Sequence, residues 1–436
     1  MSLRYNNTVT VCENGEFETT PGGSVEPPLR TKANYVGNCS ATSGNDEAEK
    51  ALQRALDARA KRWRWQELLW ELSALDRVRA CRRFAVGVKG RSKAADNGNN
   101  VQVRRSKDSS AVGYAGLSTC GSVWACPTCS SRIQARRRIE LGCLLTMAAD
   151  RGYSALFTTY TLRHHSKQKL SLLWGSLSKA FRRVSQDKGV QNARKSVEDA
   201  GYVRAVEVTH GSYGWHPHIH CIRLVKGDCT EQEAQLLGDT EFRAWSAAAR
   251  HCGLGEPVKD AFDVKLVKLA NNEVFIDTIT DYVTKTGAAG AALADVNSSS
   301  NKQIDGLTYE LASHSTKRAR KVGNKTPTEL LQEFAETGNV YYLDLWNEYE
   351  IASHGKRALT WSRGLKRDYG IKDATDEVIA AETIGSDKDT VFEICDWSAV
   401  ARQPGLAAEI LNTLQRHGVT EAMTLCIDRN VPIVAA

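Results

Sequence analysis

The sequence predicts an α+β protein in which an antiparallel β-sheet carries helices on one side. Strand-like and helical segments follow one another in the order strand, helix, hairpin, helix, strand, helix over roughly residues 154–286. Two strand-like runs, Tyr202–Thr209 and His218–Val225, are joined by a stretch containing Gly211 and Gly214, which is typical of an antiparallel hairpin. Hydrophobic residues make up 42% of the chain and charged residues 25%, so most of it should fold as an ordinary globular protein.

Each element is predicted from its local pattern. Runs rich in β-branched and aromatic residues predict strands at Phe84–Val88, Val101–Arg104, Ser154–Leu162, Tyr202–Thr209, His218–Val225 and Phe262–Leu269. A Gly/Asn-rich loop should join the first two as a hairpin. Helix-like spacing predicts helices at 46–78, Ile133–Ala149, Leu170–Ser185, Glu231–Cys252, Val274–Thr286, Thr328–Asp368, Asp376–Ala381, Trp397–Val400 and Gly405–His417.

Composition divides the chain into six regions. The first is polar and rich in Gly, Pro, Ser and Thr, which predicts disorder. The six regions are a disordered tail at 1–45, a helical segment at 46–80, a basic cysteine-containing segment at 81–150, the sheet domain at 151–290, an accessory helical region at 291–370 and an acidic helical region at 371–436.

Charge is distributed unevenly along the chain. Residues Cys81–Arg138 contain 12 Lys/Arg against 2 Asp/Glu, whereas the segment from Ile371 to the end contains 5 against 11. Lys and Arg neutralise phosphates and release counterions, so the basic segment indicates a nucleic-acid partner. The acidic end is a candidate for recruiting a host helicase or polymerase.

Neither a membrane nor a secreted location is expected. The sequence has no run of about 18 apolar residues. Its start, Met1–Thr10, lacks the basic and apolar parts of a signal peptide. A cytoplasmic protein is therefore expected, and in a reducing compartment its 12 cysteines are first candidates for metal ligands.

A histidine pair gives the strongest chemical signal. In Trp215-His-Pro-His-Ile-His220, alternate residues of a strand share a face, so His218 and His220 point the same way. A turn near Ser212–Tyr213 would place Glu207 of the partner strand opposite them. Two imidazoles and a carboxylate suit Mg²⁺ or Mn²⁺ in a phosphoryl-transfer site, or Zn²⁺ in a hydrolase. His216 has the same parity but precedes a proline, so it is expected to support the site or contact DNA.

A cysteine cluster predicts a second, structural metal site. Cys120-x5-Cys126-Pro-Thr-Cys129 offers three thiolates and requires a fourth ligand. Cys81 is the preferred fourth ligand, and Cys143, inside a predicted helix, is the competitor. Four thiolates predict structural Zn²⁺. Such a site would staple the basic segment to the following helix and direct four arginines at DNA: Arg132, Arg136, Arg137 and Arg138.

Tyr282 and Lys285 form a weaker signal. On a helix, residues three apart share a face, so the ammonium of Lys285 could favour the phenolate of Tyr282. A tyrosine that attacks phosphorus forms a covalent intermediate. This pattern gains weight only from the histidine pair upstream in the sequence.

Three motifs in order resemble those of rolling-circle replication initiators, which are HUH endonucleases. They are Phe157-Thr-Thr-Tyr-Thr-Leu162, His-Pro-His-Ile-His at 216–220 and Tyr282-x-x-Lys285. The closest likeness is to plasmid Rep proteins of Gram-positive, particularly actinobacterial, plasmids. Further stretches that look like this group are Thr119–Cys129, Val203–Gly211 and Leu359–Leu365.

The resemblance implies a five-stranded antiparallel sheet that carries the histidine hairpin, so that residues 151–290 would be an HUH nicking domain. It implies a site-specific nick at a plasmid double-strand origin, single-stranded at the nick, with a 5′-phosphotyrosine link and a free 3′-OH primer. By motif match, His218 and His220 would be ligands and Tyr282 the nucleophile. In some relatives a glutamate four residues before the tyrosine activates water. Here that position is Thr278, with two aspartates nearby, Asp277 and Asp281.

Two other interpretations are compatible with these residues. A relaxase or transposase would use the same chemistry, but relaxases usually carry three histidines and an early tyrosine. A non-catalytic, zinc-containing DNA-binding regulator would bind DNA without cutting it.

Overall fold

The computed structural model describes residues 42–86, 100–107, 111–269, 311, 323–381 and 388–436. The chain divides into two compact units, Met1–Glu47 and Ala48–Ala436, and every strand of the described residues lies in the second. The helices of the described residues are α1 (Thr42–Leu72), α2 (Asp76–Ala80), α3 (Pro127–Asp150), α4 (Leu170–Gln186), α5 (Lys188–Ser196), α6 (Glu231–His251), α7 (Pro327–Thr337), α8 (Val340–Ser353), α9 (Leu365–Asp368), α10 (Asp376–Ala381), α11 (Trp397–Ala401), α12 (Leu406–Arg416) and α13 (Val419–Asp428). The strands are β1 (Val101–Ser106), β2 (Val112–Ala115), β3 (Ser154–Tyr160), β4 (Asp199–Gly211), β5 (Gly214–Val225), β6 (Asp263–Lys268), β7 (Leu359–Trp361), β8 (Lys388–Ile394) and β9 (Ile433–Ala435).

The larger sheet has five strands in the order β6-β3-β5-β4-β7, and every pair is antiparallel. The strand number and the antiparallel pairing agree with the sequence-based expectation. The two longest strands, β4 and β5, lie beside each other in the sheet, with β5 at its centre. Residues near the middle of β5 are therefore held from both sides by backbone hydrogen bonds.

The turn between β4 and β5 lies where the positions of Gly211 and Gly214 in the sequence predicted it. Gly211 pairs with Gly214, which leaves a short connection between them. Gly214 has a φ of 80°, a left-handed conformation that favours glycine. A Cβ at this position would lie 2.8 Å from the backbone Cα of Ser166. The turn therefore fixes the register of the whole hairpin.

Helices cover both faces of this sheet, not one. On the first face, α4, α6 and α8 pack against apolar β5 residues such as Trp215, Ile219 and Cys221. On the second face, α3 packs against Ile222 and Leu224. The prediction of helices on a single side is thus wrong. Successive side chains of β5 alternate between the two faces, and all of those from Ile219 to Val225 are buried. His216, His218 and His220 alternate with the apolar residues of the first face onto the second face, and they lie nearer the hairpin turn than Ile222 and Leu224.

A second, four-stranded sheet has the order β2-β1-β8-β9. Strand β1 pairs with β2 on one side and with β8 on the other. The predicted hairpin between Phe84–Val88 and Val101–Arg104 is not formed, since Ala85 makes only an isolated bridge to Leu117. Residues 87–99 lie outside the described residues.

The acidic C-terminal region contains strands as well as the predicted helices. Phe392 and Ile394 of β8 are fully buried against Val101 and Val103 of β1. This pairing joins segments almost 300 residues apart, and local patterns carry no information about such a partner. The six predicted regions therefore stay predictions, although two of them share this sheet.

Two further elements differ from the predicted pattern. The run Thr328–Asp368 forms α7, α8 and α9, but it also contributes the edge strand β7. The predicted helix Val274–Thr286 lies outside the described residues. No helix in the described ranges is long and apolar enough to cross a lipid bilayer.

Candidate metal centres

The histidine pair and its predicted carboxylate converge on one point of the larger sheet. Glu207 of β4 lies directly opposite His218 of β5 in the antiparallel register. One oxygen of Glu207, Oε2, is 3.3 Å from Nε2 of His220 and 3.7 Å from Nε2 of His218. The two imidazole Nε2 atoms are 3.1 Å apart. One potential ligand atom from each residue therefore points at the same small volume.

This arrangement fits a divalent metal ion. Two imidazole nitrogens that share an ion at about 2.0–2.1 Å lie roughly 2.9–3.4 Å apart. The observed separation of 3.1 Å falls within that range. Two nitrogens and a carboxylate oxygen are the donor set that Mn²⁺, Zn²⁺ and, less strongly, Mg²⁺ accept. With three protein ligands, a coordination position is left for a substrate oxygen.

The protonation of His218 favours metal binding. Burial lowers the pKa of His218 to about 3, and the neighbouring His220 acts in the same direction. The ring is therefore neutral at pH 7, which is the form that binds metal. Its Nδ1 lies 3.4 Å from the carbonyl oxygen of His216, which suits an Nδ1–H donor and leaves the Nε2 lone pair for the ion.

Strand β3 orients the second imidazole. Thr159 is the register partner of His220, and its Oγ1 lies 3.1 Å from Nδ1 of that ring. An Nδ1–H that donates to this hydroxyl leaves Nε2 of His220 directed at the ion. Phe157, two residues earlier on β3, stacks on the same ring with centroids 5.3 Å apart and an interplanar angle of 20°. The sequence marked this strand as a motif but gave neither residue a role.

Replacing Thr159 with valine should weaken metal binding 10- to 100-fold, the cost typical of losing a group that orients a ligand. Calorimetric titration with Mn²⁺ measures the change. Thr159→Ser keeps the hydroxyl and should bind like the parent protein. Equal Mn²⁺ affinity of Thr159→Val and the parent would show that the hydroxyl does not orient His220.

His216 lies beside this centre but pairs with a different partner. Its Nδ1 is 2.8 Å from Nε2 of His164, and the Nδ1 of His164 faces the carbonyl oxygen of Tyr213 at 3.1 Å. His216 is not among the three residues whose ligand atoms converge. The predicted role of His216, in supporting the site or contacting DNA, stays a prediction. His164 was missed in the sequence, where the doublet His164-His165 after a strand was its only signal.

The proposed nucleophile and its neighbours lie outside the described residues. This applies to Tyr282 and Lys285, and equally to Asp277, Thr278 and Asp281. Their roles stay predictions from the sequence.

The four predicted cysteine ligands form a buried cluster. Sγ of Cys81 lies 3.5 Å from Sγ of Cys129 and 3.5 Å from Sγ of Cys126, while Cys120 and Cys129 are 3.7 Å apart. A disulfide would require about 2.05 Å. Four thiolates bound to one ion at about 2.3 Å in a tetrahedron lie roughly 3.8 Å apart, close to these distances.

Backbone donors support a metal-binding role for the cluster. The backbone N–H of Cys129 donates to Sγ of Cys126 at 3.3 Å, and that of Ser122 donates to Sγ of Cys120 at 3.4 Å. Hydrogen bonds among the four thiols hold the pKa of Cys129 well below its usual range, while the pKa values of Cys120 and Cys126 are raised well above theirs, by neighbouring thiols and by burial respectively. The competing candidate, Cys143, is half-buried within α3 and outside the cluster. The preference for Cys81 therefore agrees with the geometry.

The four arginines predicted to contact DNA do not share one surface. Successive helical residues are rotated by about 100°, so three consecutive arginines cannot face the same way. Arg137 is only 13% exposed and forms ion pairs with Glu140 at 2.9 Å and Asp376 at 2.8 Å, which ties α3 to α10. Arg136 remains 40% exposed, and Arg138 is half-buried.

Arg132 lies beside the cysteine cluster. Burial lowers the pKa of its guanidinium, and the nearby thiols of Cys129, Cys81 and Cys126 oppose that shift. Its Nη1 donates to the carbonyl oxygen of Ala380 at 3.3 Å. These contacts give Arg132 a structural position between the cluster and α10.

Comparison with known proteins places these features in a family. A family model described as "Replication protein" matches residues 115–403, which include both candidate metal centres except Cys81. A protein named "Protein rep" from Streptomyces lividans is 27% identical over 344 residues, covering 66% of this chain and 73% of that protein.

A protein named "Neomycin resistance protein" from Streptomyces cyanogenus is 32% identical over 140 residues, covering 26% of this chain and 31% of that protein. No solved structure matches the chain.

Proposed function

This chain belongs to the Rep_1 family of replication proteins, and from that premise we propose that it initiates plasmid replication by nicking one DNA strand. The proposal assigns it to the HUH type of endonuclease, with one catalytic tyrosine. The double-strand origin of an actinobacterial plasmid would be its substrate, made single-stranded at the nick. The product would be a 5′-phosphotyrosine link and a free 3′-OH that primes synthesis.

The convergence of Glu207, His218 and His220 carries the proposal. Their ligand atoms meet on the adjacent strands β4 and β5, near the hairpin turn that joins them. A purely structural role would not require two imidazole nitrogens to face each other at 3.1 Å. A bound Mg²⁺ or Mn²⁺ would polarise the scissile phosphate and offset charge in the transition state.

The protein's own residues would perform the remaining steps. The phenolic oxygen of Tyr282 forms a new bond to phosphorus, the bond from phosphorus to O3′ breaks, and O3′ leaves as a hydroxyl after taking a proton. The phenolic proton is lost to solvent, aided by the ammonium of Lys285, which favours the phenolate. Either Asp277 or Asp281 would activate water at termination, because Thr278 cannot.

We also assign a structural Zn²⁺ to Cys81, Cys120, Cys126 and Cys129. The cluster joins the end of α2 to the first turn of α3 and to the loop between β2 and α3. An ion there would hold three separate pieces of chain in one arrangement. Binding of a host helicase or polymerase by the acidic C-terminal region stays a prediction.

Cleavage of a supercoiled plasmid that carries the origin separates this function from that of a regulator. The proposal expects Mn²⁺-dependent conversion of supercoiled plasmid to the open-circular form. A non-catalytic regulator would retard the plasmid in a gel and leave it supercoiled at every metal concentration. A relaxase would nick as well, but at a transfer origin in place of the replication origin.

A further inference from the structure

A large groove lies between the cysteine cluster and the edge of the five-stranded sheet. Its volume is about 1210 Å³. One wall is the loop Gly121–Trp124, which follows Cys120 of the cluster. The other wall is the exposed loop His354–Arg357, which leads into β7. Cys120 of the cluster also lines the groove, next to the first wall.

A hydrogen bond ties the two walls together. The indole Nε1 of Trp124 donates to the carbonyl oxygen of Lys356 at 2.8 Å. Trp124 is buried among aromatic rings, including Trp174 at a centroid distance of 5.0 Å. The backbone of the His354–Arg357 loop is thus fixed, while the side chains of Lys356 and Arg357 project from an exposed segment.

Among the charged residues that line the groove, those outside ion pairs are mostly positive. Of its acidic residues, Asp373 is bound by Lys366 at 2.9 Å and Asp376 by Arg137 at 2.8 Å. Asp76 forms an ion pair with Arg79, and the fourth acidic residue that lines the groove is Glu377. Three exposed cations of the groove have no ion pair within the described residues: Arg77, Lys356 and Arg357.

The β7 side of the groove lies two strands away from the candidate metal centre of Glu207, His218 and His220. Leu359 of β7 is the register partner of Ala205 in β4, and Ala205 is in turn the partner of His220. Direct partners point to the same face of a sheet. Strands lie about 4.8 Å apart, so the start of β7 is roughly 10 Å from His220, a span of about three nucleotides at 3.4 Å each.

We propose that this groove binds the sugar–phosphate backbone of DNA beside the scissile phosphate, with Arg77, Lys356 and Arg357 as phosphate contacts. The inference rests on the proposed nicking function for its ligand. It moves the DNA contacts from the arginines of α3 to the two groove walls. Under this proposal the cysteine cluster positions the loop Gly121–Trp124, which forms one wall of the DNA-binding groove.

The test compares two double variants of the full-length protein. Lys356→Gln with Arg357→Gln removes two groove cations without touching the Trp124 hydrogen bond, which uses the backbone of Lys356. Arg182→Gln with Arg183→Gln removes two exposed cations from α4, which packs on the opposite face of the sheet. Fluorescence anisotropy with a labelled DNA oligonucleotide, as single strand and as duplex, is followed over a series of NaCl concentrations.

The groove variant should bind DNA at least tenfold more weakly. The magnitude of its slope of log affinity against log salt should decrease by about 1.8 with duplex and by about 1.4 with single strand, because each phosphate that is no longer neutralised removes about 0.9 or about 0.7 respectively. The α4 variant should match the parent protein. Adding Arg77→Gln to the groove variant should lower the slope by about one more. Thermal melting confirms that each variant is folded.

Parent-like affinity and salt slope in the groove variant would overturn the proposal, as would an equal loss in the α4 variant. A failure of the proposed nicking function gives a different result from a failure of the groove proposal. In that case the parent protein would leave DNA uncut in the presence of Mn²⁺, and the groove variant would still bind DNA more weakly than the parent.

Discussion

Replacing His218 with alanine is expected to lower the rate of Mn²⁺-dependent DNA nicking at least about a thousandfold. This corresponds to about 4 kcal/mol of lost transition-state stabilisation, within the several kcal/mol that a Lewis-acidic ion supplies. The physical reason is that His218 and His220 present Nε2 atoms 3.1 Å apart to one point, and neither can hold the ion alone. Single-turnover cleavage of an end-labelled single strand measures the rate, and calorimetry measures Mn²⁺ binding.

His251→Ala is the matched control for this loss. His251 is exposed at the end of α6, which packs on the face of the sheet opposite the metal centre. The control should nick and bind Mn²⁺ like the parent protein. Nicking by His218→Ala within tenfold of the parent rate would mean that the histidine pair does not form the catalytic metal site.

Replacing Cys129 with serine is expected to remove the bound zinc and to destabilise the protein by at least about 3 kcal/mol, since loss of a structural metal is among the largest single-site effects. At about 2.1 cal/mol/K of unfolding entropy per residue, such a loss should lower the melting temperature of the unit Ala48–Ala436 by about 4 °C or more. Cys129 contacts both Cys81 and Cys120, so its loss leaves the other thiols without their shared centre. Elemental analysis of zinc per chain and thermal melting measure the two effects.

Cys143→Ser provides the comparison, because Cys143 lies within α3 but outside the cluster. It should keep one zinc per chain and a melting temperature close to that of the parent. A full zinc content in Cys129→Ser, with zinc lost from Cys143→Ser, would assign the ligands differently.

Local patterns predicted the part of the molecule that contains the histidines. Two-residue alternation along β5 placed His218 and His220 on one face, and the glycines of the turn placed Glu207 opposite. Both inferences depend only on residues close together in sequence. For the same reason the helices α4 and α6 were predicted with bounds within one residue of those observed, whereas α3 begins at Pro127, six residues before its predicted start.

Non-local pairings could not be predicted from the sequence. Strand β7 has only three residues, Leu359–Trp361, and its extended form depends on the ladder with β4. Strand β8 pairs with β1, which lies nearly 300 residues earlier in the chain. The ion pair that holds Arg137 could not be predicted either, since Asp376 comes from a distant helix, and the DNA-contacting role of the α3 arginines stays a prediction.

The central claim is that Tyr282 attacks DNA at a metal centre formed by Glu207, His218 and His220. Its most direct test is a denaturing gel of the protein mixed with a labelled oligonucleotide that carries the origin nick site, in the presence of Mn²⁺. The account predicts a covalent protein–DNA band for the parent, and no band for either Tyr282→Phe or His218→Ala. A covalent band of full yield in Tyr282→Phe would contradict it.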